Sequence, residues 1–114
     1  MISGQELYVE RDRIKQSLHN SSIRAYENGM EAAEKTRAYR LALKKEELRL
    51  QSEGQAQTTL KDLAKGADEV ANAEFEMNVA EVKYRASNEN IMIQKKLLDC
   101  IEADINREYH YKGD

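Results

Sequence analysis

Apolar and small residues recur at alternating intervals of three and four along two long stretches, separated by a short segment rich in glycine and threonine. In the first stretch Leu18, Ala25, Ala32 and Tyr39 form one seven-residue series, and Ser22, Gly29, Thr36, Leu43 and Leu50 form a companion series four residues on. In the second, Met77, Tyr84, Ile91, Leu98 and Ile105 alternate with Ala80, Ser87, Gln94 and Ile101. Such a repeat keeps one stripe of a helix against one partner helix. The chain has no proline, so nothing of that kind interrupts either ladder of backbone hydrogen bonds. The pattern predicts an all-α fold, a long antiparallel helical hairpin of the coiled-coil type in one domain spanning residues 1–114. Its helices are expected over about 4–52 and about 68–111, with a short helix at the tip over about 59–65.

Local signals refine this outline. Ser3 followed by Glu6 is a capping box, in which each side chain satisfies a backbone donor at a helix start. Ser22, Ala25, Gly29, Ala32, Ala33 and Thr36 make the middle of the first seam small, inviting close approach by the partner helix. That approach would offset the roughly 1 kcal/mol that a helix-interior glycine costs relative to alanine. At the tip, Thr59 followed by Asp62 predicts a cap for a two-turn helix from Leu60 to Lys65. Gly66 is expected to supply the left-handed residue that ends it. Asp68 and Glu69 then favour the start of the last helix, where carboxylates oppose the positive end of the dipole.

A further apolar series, Val79, Ala86, Ile93 and Cys100, repeats every seven residues and is widened by Leu97. This exceeds what one partner helix covers. It predicts that two hairpins associate into a four-helix bundle, a homodimer whose self-association stripe includes Val79, Ile93, Leu97 and Cys100. The competing reading is that the tip helix and an N-terminal turn carrying Leu7 and Tyr8 cover the stripe within one chain.

Composition changes the picture little. Eighteen basic and 21 acidic residues leave a net charge of −3, and both signs are mixed along the chain, so no global charge argues for a nucleic acid or a membrane. Cys100 is the only cysteine, which excludes an intramolecular disulfide and suits a reducing compartment. Glu6, Glu10 and Asp12 interrupt the first twenty residues, where a signal peptide would need an apolar run. A cytoplasmic protein with no membrane partner is expected.

Chemistry-bearing constellations are scarce. His19 and His110 are the only histidines, and neither has a carboxylate three residues before it, as the Glu-x-x-His motif of carboxylate-bridged metal bundles requires. His110, in Glu108-Tyr109-His110-Tyr111-Lys112, reads as a solvated residue near a helix C-terminus. Cys100 lacks a nearby histidine or second cysteine and reads as a small core hydrophobe. Gly29, Gly54 and Gly66 fall in no phosphate-binding or dinucleotide motif. No catalytic, metal or cofactor residues are expected, and the chain is expected to act by binding, not as an enzyme.

Two candidate binding surfaces remain. The tip, where Leu60 and Leu63 lie beside Lys61 and Lys65, interrupts a regular rod and is the expected site for a protein partner. Arg37, Arg40, Lys44, Lys45 and Arg49 crowd the last turns of the first helix and are the candidate nucleic-acid contacts. Glu46, Glu47 and Glu53 interleave with them, and cations at a helix C-terminus also complement the dipole without a ligand, which favours a solvated face. Tyr39 and Tyr84 are placed to pack in the seam, not to stack on bases.

The run Tyr39-Arg40-Leu41-Ala42-Leu43-Lys44-Lys45-Glu46 is followed in order by Leu50, Glu53-Gly54, Thr58-Thr59, Leu63-Ala64-Lys65-Gly66, Val70-Ala71 and Val79-Ala80-Glu81. This succession resembles small coiled-coil proteins encoded by phages and prophages of Gram-positive bacteria, over about Tyr39 to Tyr109. Members of that group often carry a proline shortly after the Glu-Gly glycine, whereas Gln55-Ala56-Gln57 stands here. The resemblance implies a phage-type accessory protein in the host cytoplasm, with a host or phage protein as partner, and it brings no catalytic residue.

Overall fold

The computed structural model describes residues 4–113. It comprises three helices, α1 (Gly4–Ser52), α2 (Gln57–Lys65) and α3 (Asp68–Gly113), with no strand among the described residues. Ser3, expected to cap α1, lies outside them. The chain divides into two compact units, unit 1 formed by Met1–Tyr26 with Arg85–Asp114 and unit 2 by Glu27–Tyr84.

In unit 1 the first part of α1 runs antiparallel to the last part of α3. Leu7, Ile14 and Ala25 are buried, as is Ile105 of α3. Ser21 is the polar element of this seam: its hydroxyl oxygen accepts hydrogen bonds from Asn90 Nδ2 at 3.2 Å and Gln94 Nε2 at 3.0 Å. Ser22, expected in the seam, is instead exposed and donates back to the Leu18 carbonyl at 2.9 Å.

In unit 2 the rest of α1 pairs antiparallel with the first part of α3. Ala32, Leu50, Val70 and Ala80 are buried, with Thr36, Tyr39 and Leu43 half-buried. Ala33, expected among the small seam residues, is exposed. Salt bridges join Lys83 to Glu31 and Lys35 to Glu76, each at 3.1 Å. The companion series is therefore 7, 14, 21 in unit 1 but 36, 43, 50 in unit 2. A straight helix of 3.6 residues per turn drifts about 20° per heptad from a 3.5 repeat, so five heptads move the seam by about one residue. The inward position at the start of α1 is thus one place earlier than extrapolation from Leu43 and Leu50 gives.

Gly29 has the close neighbour its position suggested. A methyl group built on it would sit 3.0 Å from Tyr84 Cε1 and 3.2 Å from Cζ, so the Tyr84 ring lies over the glycine. Gly29→Ala gains about 1 kcal/mol of helix propensity but must displace this ring. In a Tyr84→Ala background the opposing contact is gone, and thermal unfolding should show a larger gain from Gly29→Ala there than in the unaltered chain. Equal gains in both backgrounds would exclude the coupling.

The end of α1 is set by Gly54, the glycine with positive φ, +88°. The Gln55 amide donates to the Leu50 carbonyl at 3.2 Å and the Gly54 amide to the Gln51 carbonyl at 3.1 Å. That pair of bonds is the Schellman arrangement, which satisfies orphaned carbonyls through one left-handed residue. Gly54→Ala meets no steric obstacle, so its cost is the backbone penalty alone. A loss of about 1 kcal/mol is expected in chemical denaturation; an unchanged midpoint would contradict this role.

The tip differs from expectation in two respects. α2 begins at Gln57 with Ala56 at the cap and no side-chain cap bond; Thr59 is already helical, its hydroxyl donating to the Ala56 carbonyl at 3.2 Å. Gly66 is right-handed, with φ −80° and ψ −11°. The Gly66 and Ala67 amides donate to the Leu63 and Ala64 carbonyls, both at 3.2 Å. The Ala67 carbonyl then accepts from Ala71 at 2.8 Å. The chain thus passes from α2 to α3 through right-handed turns and needs no left-handed glycine.

Candidate interaction surface

Helix α3 carries two faces. Its seam face holds Met77, Ala80, Ser87, Ile91, Gln94, Leu98, Ile101 and Ile105, all buried or half-buried, with Tyr84 somewhat more exposed. On a second face, about 120° round the helix, Val79, Ile93, Leu97 and Cys100 are all exposed, at 49%, 57% and 50% for the first three, and Val79 borders a groove shared with Glu31 and Lys35 of α1. Cys100 is therefore no core residue within the single chain: it lies on the side of α3 turned away from α1. Phe75 and Val82, at 68% and 60% exposure, extend the same face. Sequence reading passed over these two because they fall outside the seven-residue series, although they stand four before and three after Val79. By the helical repeat, residues 75, 79, 82, 86, 93, 97 and 100 fall within an arc of about 60°.

The residues expected at the tip separate. Leu60 is buried and packs with Leu50 and Ala64, with Leu43 against them; it holds the tip together and offers no surface to a partner. Leu60 and Ala64 are four apart on one helix face, which turns inward and leaves Leu63 to the side. Leu63, Lys61 and Lys65 are exposed.

The basic cluster also divides. Arg49 is engaged by Glu46 and by Glu53, each at 2.5 Å. Its guanidinium holds the Glu46 carboxyl below the ordinary carboxylate value, chiefly through their hydrogen bonds. Arg37, Arg40, Lys44 and Lys45 are exposed and take part in none of the ion pairs found among the described residues. Arg37 and Lys44 share their face with Leu41 and Leu48, both more than half exposed.

The other displaced protonations have equally local causes. Arg13 lowers the Glu10 carboxyl through a side-chain hydrogen bond one turn away. Burial in the unit 2 seam raises the Tyr39 phenol, helped by a hydrogen bond to Glu74 and by the charges of Glu74 and Glu47. A raised folded-state value favours folding below the ordinary tyrosine value and withdraws that support as pH climbs above it. Absorbance titration should show Tyr39 ionising after the exposed tyrosines; ionisation together with them would contradict its packing.

An apolar cleft of about 380 Å³ lies in unit 1 between the first turns of α1 and the last turns of α3, lined chiefly by Leu7, Tyr8, Ile105 and Tyr109. No group of three or more histidine, cysteine or carboxylate side chains able to hold a metal ion occurs among the described residues. None of their helices is long and apolar enough to cross a membrane.

No protein-family model, curated protein or solved structure matches the chain.

Proposed function

We propose that the chain is a non-enzymatic accessory protein of the phage type that works in the cytoplasm by binding, associating with itself through α3 and with a protein partner at the tip. The observation that carries this is the apolar face of α3 from Phe75 to Cys100, which is left exposed among the described residues.

At the tip, exposed Leu63 is the apolar residue that a protein partner would meet, with Lys61 and Lys65 exposed on the other side of α2.

A second reading, nucleic-acid binding, draws on the exposed Arg37, Arg40, Lys44 and Lys45, of which Lys45 already acts on the Glu46 carboxylate through its charge. Arg49 is occupied and exposed leucines share the face, which weakens it. Titrating labelled single- and double-stranded DNA at low and physiological salt separates the two. Little binding at physiological salt is expected. Tight binding that falls steeply with salt, and is lost on changing Arg37, Arg40 and Lys44 to Gln, would establish the second reading instead.

A further inference from the structure

The arrangement of charges beside the α3 stripe bears on how a second copy would lie against it. Helix α3 is uninterrupted from Asp68 to Gly113, so the helical repeat fixes which residues flank the stripe. On the flank nearer α1 stand Glu76 and Lys83, and both are already neutralised within the chain, by Lys35 and Glu31 at 3.1 Å each. On the other flank stand Arg85, Glu89 and Lys96, all exposed, and none enters an ion pair found among the described residues. The charges awaiting a partner thus lie on the side of the stripe away from α1.

The stripe itself is nearly symmetric about residue 88. Reading outward, 86 matches 90 and 79 matches 97 about that point, while 82 matches 93 and 75 matches 100 about a point half a residue earlier, so apolar residues meet apolar ones at every level but the centre. Two antiparallel helices related by a twofold axis bring like flanks together, and there Arg85 of each copy faces Glu89 of the other. A parallel pair brings opposite flanks together and sets Arg85 beside Lys83 or Asn90 of its partner, with no opposite charge to meet.

We propose that the occupant of the α3 face is a second copy of this chain, docked antiparallel about residue 88, with Val79 of each copy against Leu97 of the other and reciprocal Arg85–Glu89 pairs at the edge. The inference rests on the reading that α3 self-associates and adds its direction and register. An isologous contact of this kind is closed, so assembly stops at two chains. Each Cys100 then lies about 12 residues from the axis, which separates the two thiols by about 36 Å along the helices, far beyond the reach of a disulfide.

The test uses the full chain with Cys100→Ser throughout, carrying either Val79→Cys or Leu97→Cys. Both positions are exposed in the single chain, so neither change disturbs its packing. After mild oxidation, the mixture of the two variants should yield several-fold more cross-linked dimer than either variant alone, and the unaltered chain should give almost none through Cys100. Cross-linking of each variant mainly with itself, or ready Cys100 disulfide formation in the unaltered chain, would overturn the antiparallel register while leaving self-association intact. A chain that light scattering finds monomeric at every concentration would overturn both.

Discussion

Changing Ile93 and Leu97 together to Gln is expected to halve the solution mass of the protein while leaving its helix content unchanged. Both side chains are at least half exposed in the single chain, 57% and 50%, so they contribute little to folding of one copy. A twofold dimer contains each of them twice. Full burial of such a side chain is worth about 1.5–3 kcal/mol; burying the exposed half of four of them comes to about 4 kcal/mol. At 1.4 kcal/mol per tenfold, the double change should weaken association by about a thousandfold. Leu41 and Leu48, exposed to a similar degree on α1 at 59% and 52%, provide the control. Their replacement by Gln should leave the mass unaltered. Sedimentation of both variants reads this directly, and an unaffected mass for the α3 variant would place the self-association surface elsewhere.

The tip supplies a second large effect, as a contrast between neighbours. Leu60 is 7% exposed and Leu63 is 47% exposed, although they sit three residues apart on one short helix. Leu60→Ala removes a side chain from the cluster with Leu50 and the fully buried Ala64, and such deletions cost about 2–5 kcal/mol. Leu63→Ala should cost less than about 0.5 kcal/mol, in the range of ordinary surface changes. Chemical denaturation monitored by circular dichroism gives both values. Equal losses would mean that α2 does not present the face described. The contrast also separates roles: a partner that binds the tip should be lost on Leu63→Ser with the fold intact, whereas Leu60→Ser would disturb the tip itself.

The two long helices were legible because their signals are distributed. Twelve or more turns of regular spacing outweigh any single residue, and the α3 seam from Met77 to Ile105 lies where the spacing put it. What escaped depended on single residues or on small angles. The left-handed position was expected at Gly66 and lies at Gly54, because both follow a helix and which one must be left-handed depends on the path the chain takes afterwards. Gly66 continues into α3 through right-handed turns, whereas Gly54 has to end α1 outright. Ser22 was preferred to Ser21 because a strict heptad ignores the slow drift of a straight helix. Leu60 and Leu63 are alike in sequence, and only the inward turn of α2 toward Leu50 distinguishes them. Phe75 and Val82 could have been found by extending the second stripe with three- and four-residue steps in place of sevens.

The solution mass of the unaltered protein, measured by light scattering behind size exclusion at low and high salt, is the decisive observation. A value twice 13.1 kDa that persists in high salt is expected, since the proposed contact would be chiefly apolar, with its four charges at the edge. A mass of 13.1 kDa at all concentrations and both salts would contradict the reading of the α3 face as a site of self-association.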